Sequence, residues 1–204
     1  MSNSVLSLKK SKDQLSEPTS EPIPVVPPSK DDWEVLERYL QHPLFGKLST
    51  RDFIQKCLIK KVHPLLQFSA FQILSVSEVE ELLQMGLNVN ASTSKGLTPL
   101  INAMVGGESP IAGRIPLAPR IEYIEVLLKY GADCLAKASL PNQLGVTGTP
   151  RTAFEIALRY QNQCSHYAKD SWTVICNLLG SLTLKKTLDK AISKTTTISS
   201  SVRL

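Results

Sequence analysis

The chain has 204 residues, 42% of them hydrophobic and only 6% aromatic, and a formal net charge of +5. That length suffices for one well-buried domain with tails, and the scarcity of aromatics leaves Leu, Ile, Val and Ala to build the core. The positive excess gathers at one end, in Lys185, Lys186, Lys190, Lys194 and Arg203 against Asp189 alone, with no basic stripe interleaved with aromatics, which argues against nucleic-acid binding.

The four cysteines, Cys57, Cys134, Cys164 and Cys176, form no Cys-x-x-Cys pair. Reduced, mostly buried thiols are expected, not disulfide staples. Met1 to Lys12 lacks the apolar stretch of a secretory signal, and no apolar run reaches the roughly 18 residues of a membrane span. These features predict a monomeric protein of the cytoplasm without metal or cofactor.

Residues 1–30 are rich in Ser, Lys, Glu and Pro, with prolines from Pro18 to Pro28. Proline removes a backbone donor and blocks helix propagation, so a disordered, partly polyproline-like arm is expected, with a Pro-rich docking ligand as the functional alternative. Residues 31–60 predict N-terminal capping helices. In the first, Asp31 and Asp32 precede Trp33, Leu36, Tyr39 and Leu40 at helical spacing, and Pro43 ends it. In the second, Ser49 or Thr50 caps an apolar face of Phe53, Ile54, Cys57 and Leu58. Pro64 opens a third helix at a first-turn position. Ser77 opens a fourth, with Val79, Leu82 and Leu83 inward and Gly86 as its stop.

From there the chain repeats itself. Leu82-Leu83-Gln84-Met85-Gly86-Leu87-Asn88 is echoed by Leu127-Leu128-Lys129-Tyr130-Gly131-Ala132-Asp133. Gly96-Leu97-Thr98-Pro99-Leu100-Ile101-Asn102-Ala103 is echoed by Pro150-Arg151-Thr152-Ala153-Phe154-Glu155-Ile156-Ala157, and more weakly by His63-Pro64-Leu65-Leu66. No sustained strand-like alternation is present, so the chain reads as all-α.

These alternating blocks resemble the ankyrin repeat, in which a Thr-Pro-Leu-His-x-Ala block opens a short inner helix and a Leu-Leu-x-x-Gly-Ala-Asp block ends an outer one. The resemblance covers residues 61–182 and implies an all-α, ankyrin-type helical solenoid of about three repeats, with 183–204 as a basic capping helix and disordered tail. The spacing departs from the family period of about 33 residues. Gly86 and Gly131 are 45 residues apart, and Leu127 and Leu178 are 51 apart. Insertions are therefore expected near 106–119, 139–149 and 161–170. The family's His is replaced by Ile101 and Glu155, and its Pro by Ala153 in the last repeat.

The resemblance implies a non-enzymatic protein-protein interaction module that reads a protein partner with its turn fingers and inner helices. Carried onto this chain, the first finger offers Asn90, Ser92, Thr93, Ser94 and Lys95. The second offers Lys137, Ser139, Asn142 and Gln143, and the inner helices offer Asn102, Val105, Glu155 and Arg159. Arg114, between Ile111, Ile115 and Leu117 in the first insertion, adds a charge within an apolar patch. Such short, divergent repeat proteins, with a Ser/Thr-rich basic tail, are also similar to effectors that intracellular bacteria or large viruses place in a host cytoplasm.

Two other readings compete. Cys164 and His166 invite a thiol-dependent enzyme, although a nucleophile needs a base in fixed geometry and usually a third orienting group. A zinc site from Cys164, His166 and Cys176 would need a fourth ligand that no spacing supplies. The glycines at 106–107 and 145–148 carry no Gly-Lys-Ser/Thr and are not phosphate loops. The basic C-terminal helix, finally, suggests contact with a membrane surface.

Overall fold

The computed structural model describes residues 29–42, 46–67, 70–105, 119–139, 148–164 and 166–201. These are mostly helical: α1 (Lys30–Gln41), α2 (Leu48–Lys60), a 3₁₀ turn (Pro64–Leu66), α3 (Ala70–Ile73), α4 (Val76–Gln84), α5 (Pro99–Met104), α6 (Ile121–Lys129), α7 (Ala153–Gln163) and α8 (His166–Ser201). Two short strands, β1 (Lys137–Ala138) and β2 (Arg151–Thr152), pair antiparallel with Lys137 opposite Thr152 and Ala138 opposite Arg151.

Local chemistry sets the helix starts. Ser29, Ser75 and Thr152 each accept a bond from the amide three residues on, and Asp32, Glu78 and Glu155 reach back to the cap residue's own amide. Each such box satisfies two donors that a bare helix end leaves unpaired. Thr98 caps α5 through the Ile101 amide, and Pro99 sits at its first turn, as its sequence predicts. Gly86 and Gly131 end α4 and α6 with φ of +99° and +87°. In both places the next residue closes the helix in the same way: Leu87 N–H donates to Leu82 C=O at 3.0 Å, and Ala132 N–H to Leu127 C=O at 2.9 Å.

Three starts differ from the sequence reading. The first cap is Ser29, which places Asp32 inside the helix as its third residue. The fourth helix is capped by Ser75, not opened at Ser77. Lys47, whose side chain has no acceptor, holds the cap position of α2, and Thr50 lies inside the helix, buried and bonded to Glu78.

Packing joins α1 to α2 and α4, and α2 to the 3₁₀ turn and α3. Helix α5 sits among the 3₁₀ turn, α6 and α7, while α4 lies along α6 and α7 along α8. One continuous core results, with Leu36, Tyr39, Ile54, Leu65, Phe71, Leu82, Leu100, Ile101, Met104, Ile124 and Trp172 fully enclosed. The α7–α8 contact is close. The Tyr160 and Trp172 rings lie 5.1 Å apart, and a Cβ added at Gly180 would come within 3.2 Å of Phe154.

Residues 161–170 do not form an inserted loop: α7 runs to Gln163 and α8 opens at His166. Helix α8 then continues unbroken to Ser201, where a separate capping helix and a disordered tail were expected. The remaining sequence expectations for 1–28, 106–118 and 140–147 lie outside the described residues. Among the described residues, no helix is long and apolar enough to cross a membrane.

Candidate functional site

The turn segments after α4 and α6 lie side by side. In the first, Thr93 folds the chain back on itself: its amide donates to Leu97 C=O at 3.0 Å and its hydroxyl accepts the Leu97 amide at 3.1 Å. Gly96, at φ +77°, lies so close to the second segment that a Cβ there would land on the Lys137 carbonyl. The Ser139 amide donates to Lys95 C=O at 2.8 Å. Lys137 in turn pairs with Thr152, the cap of α7. Backbone bonds therefore align three segments in one row, with Thr93, Leu97 and Ala138 buried and Ser92, Ser94 and Lys137 exposed.

The sequence-predicted residues divide on this row. Ser92, Ser94 and Lys137 are exposed, and Lys95, Ser139 and Arg159 are partly so. Asn90 is exposed but occupied. Its amide group donates to Gly131 C=O at 3.2 Å, and its Oδ1 accepts the Asp133 amide at 2.7 Å. Glu155 is exposed and holds the cap of α7, with its Oε2 accepting the Thr152 amide at 2.8 Å. That bond first of all, with Lys137 and Arg151 nearby, lowers the pKa of the Glu155 carboxyl.

Three of the predicted contact residues are interior and offer no surface. Asn102 is fully buried, and its amide group donates to Leu65 C=O and Gln67 C=O, both at 2.9 Å. Thr93 and Val105 are buried as well, because one seals its own turn and the other ends α5 against the core. Arg114, Asn142 and Gln143 lie outside the described residues.

Sequence reasoning missed the cross-links between segments. Asp32 Oδ1 accepts the Asn88 amide at 2.8 Å across 56 residues, the same service that Asn90 gives the Asp133 amide one unit later. His63 is buried beside it, its Nε2 3.9 Å from Asp32 Oδ1. Burial holds that imidazole well below its ordinary pKa of 6.5, against the opposing pull of Asp32 and a backbone contact with Asn88. The Tyr123 hydroxyl donates to Leu74 C=O at 2.6 Å, and Arg120 donates to Phe71 C=O, fastening the start of α6 to the α3–α4 junction. A serine three residues before Asp32 or Glu78 signals the cap. No local spacing signals the distant amide that the same carboxylate also holds.

Cys164 and Cys176 sit in different surroundings. Cys164 is half-buried and its thiol donates to Gln161 C=O at 3.4 Å. Cys176 faces the core, where burial raises its thiol pKa. His166 opens α8, and its side chain lies outside the described set. Among the described residues, no three His, Cys, Asp or Glu side chains converge as metal ligands. No protein-family model and no curated protein matches the chain.

Proposed function

We propose that the chain is a non-enzymatic, ankyrin-type interaction module that binds a protein partner along the row of turn segments from Ser92 to Lys137 and Thr152. The observation that carries this reading is the backbone register of that row: Ser139 to Lys95, Gly96 against Lys137, and Lys137 opposite Thr152. Such a frame fixes the segments through their backbone, while the side chains of Ser92, Ser94 and Lys137 take no part in holding it. Their identities are therefore free to suit a partner.

The repeating construction supports the ankyrin reading. Two units each end an outer helix at a left-handed Gly, close it with matched backbone bonds, and present the next amide to a side chain of the preceding unit. One row of neighbours runs α1, α4, α6. A second runs from the 3₁₀ turn through α5 to α7, as stacked helix pairs require. Delivery of such a module into a host cytoplasm as an effector belongs to the same proposal and rests on sequence resemblance alone.

The test is affinity capture from cell lysate with the wild type and with a Ser92→Arg, Ser94→Arg, Lys137→Glu variant. A partner held by the wild type and lost by the variant, with the helical spectrum and melting temperature unchanged, supports the row as the binding surface. A partner held equally by both moves the function off it.

A further inference from the structure

Helix α8 changes character along its length. Its first half is seated on the body through Ala168, Trp172, Ile175, Cys176 and Leu179, all buried. Seven residues make two turns, so each buried line recurs on the same side further on. Trp172 and Leu179 lead to Lys186, which reaches Asp133, in the turn segment after α6, at 3.4 Å. Cys176 leads to Lys190. The opposite side from residue 184 onward carries Leu184, Leu188 and Ile192, four residues apart and 71%, 57% and 56% exposed. Beyond Leu182 the helix therefore holds an apolar stripe that points away from the body.

We propose that this half of α8 lies on an anionic membrane surface, with Leu184, Leu188 and Ile192 inserted between the headgroups. The inference goes beyond the turn-row function and does not depend on it. Charge complementarity selects the occupant. Residues 184–193 hold Lys185, Lys186 and Lys190 against Asp189, and Lys185 borders the stripe directly. An in-plane helix with an apolar face and lysines on its flank and back suits an interface of anionic lipids. A second copy is a poor occupant. Two such helices face to face would bring like charges together, and three side chains a side fall far short of the roughly 1,200 Å² that a stable interface buries. The helix is already formed, so insertion has no folding cost to meet.

The full chain is floated with vesicles of phosphatidylcholine, alone or with about 30% phosphatidylserine. The runs are made at about 50 mM and about 500 mM salt. Binding is expected with phosphatidylserine and not without it, and is expected to fall at least tenfold at high salt. It is expected to fall as far in a Leu184→Ser, Leu188→Ser variant and in a Lys185→Glu, Lys190→Glu variant. All four positions are exposed, and circular dichroism and melting confirm that each variant is folded. Failure to bind phosphatidylserine vesicles overturns the proposal, as does equal binding to both vesicle types or binding indifferent to the two leucines. A dimer in sedimentation that the leucine variant dissociates assigns the stripe to self-association instead. Binding to poly-glutamate that survives the leucine changes, without vesicle binding, assigns the lysines to an acidic protein.

Discussion

The Thr50 hydroxyl donates to Glu78 Oε1 at 2.6 Å, joining α2 to the first turn of α4. The same oxygen accepts the Lys47 amide at 3.1 Å, and Oε2 accepts the amide and hydroxyl of Ser75 at 2.8 and 2.7 Å. One buried carboxylate thus caps its own helix and anchors the entry to another. Burial alone would raise its pKa. The Thr50 hydroxyl, the Ser75 and Lys47 amides and the Ser75 hydroxyl overcome that and hold it at about 2.

Thr50→Val keeps the shape and removes the donor, and should cost about 1–3 kcal/mol in urea unfolding. Glu78→Gln, which also gives up the charge, should cost more. The linkage has a definite sign. A carboxyl depressed from 4.5 when unfolded to about 2 when folded stabilises the protein fully above pH 4.5. That contribution is lost as pH falls from 4.5 toward 2. The acid limb of the stability curve should flatten in Glu78→Gln. An unchanged limb would assign the acid sensitivity to other groups.

His63 governs a different pH window. Its imidazole is kept neutral by burial, so below about pH 6.5 the unfolded chain takes up a proton that the folded chain resists. Stability is fully present above that pH and is lost as pH falls through the weakly acidic range, before Glu78 protonates. Urea midpoints at pH 7.5, 6.0 and 5.0 should decline in the wild type. In His63→Gln they should decline less, from a lower starting value. Parallel declines in the two proteins would rule out His63 as the source.

The helix ends were legible because they are written locally. Gly86 and Gly131 stop helices at any distance from the rest of the fold, and Thr98 with Pro99 starts one. The long-range bonds were not legible. Asp32 reads as a helix-start acid, and nothing within a few residues of it points to Asn88. Asn102 reads as an exposed inner-helix amide because its two carbonyl partners lie 37 and 35 residues away. Gly180 does not interrupt α8, which passes straight through it. What Gly180 contributes is the close approach of Phe154 from α7. The exposed stripe on α8 is spelled in the sequence by Leu184, Leu188 and Ile192. Only the packing of Trp172 and Leu179 reveals which side of the helix it occupies.

Asn102 separates a structural from a binding role. Asn102→Leu removes both bonds to Leu65 and Gln67 and leaves two buried carbonyls with one donor fewer, at a cost of about 2–3 kcal/mol. Asn102→Asp aims a carboxylate at those carbonyls and should be worse. Well below its melting temperature, the Leu variant should bind any turn-row partner as the wild type does. A selective loss of binding would return this residue to the contact surface.

The cysteines supply a test of the thiol-enzyme alternative. Burial raises the Cys57 thiol to about 12, and Cys134 and Cys176 are also buried. Cys164 alone is partly accessible. In the native state a thiol reagent should therefore modify one equivalent, removed by Cys164→Ser, and all four after denaturation. On the non-enzymatic reading the half-buried Cys164 thiol should react no faster than a simple thiol peptide at pH 6. A burst of reaction at that pH would mark an activated nucleophile and sink the non-enzymatic reading.

Gly96 and Gly131 discriminate backbone strain from the contact that aligns the turn row. Both have positive φ, +77° and +87°, where an L side chain is strained by about 1–2 kcal/mol. At Gly131 nothing lies within 4 Å of an added Cβ, so Gly131→Ala should cost that strain alone. At Gly96 the Cβ meets the Lys137 carbonyl and the Ala138 backbone, which cannot swing aside as a flexible side chain can. Gly96→Ala should therefore cost at least about 3 kcal/mol, or push the two turns apart. The second outcome leaves a signature of its own, because the Ser139 amide loses Lys95 C=O and exchanges its hydrogen faster while the α7–α8 amides stay protected. Partner binding should then fall in Gly96→Ala and hold in Gly131→Ala. Equal effects of the two substitutions on stability and exchange would mean that the contact with Lys137 does not align the row.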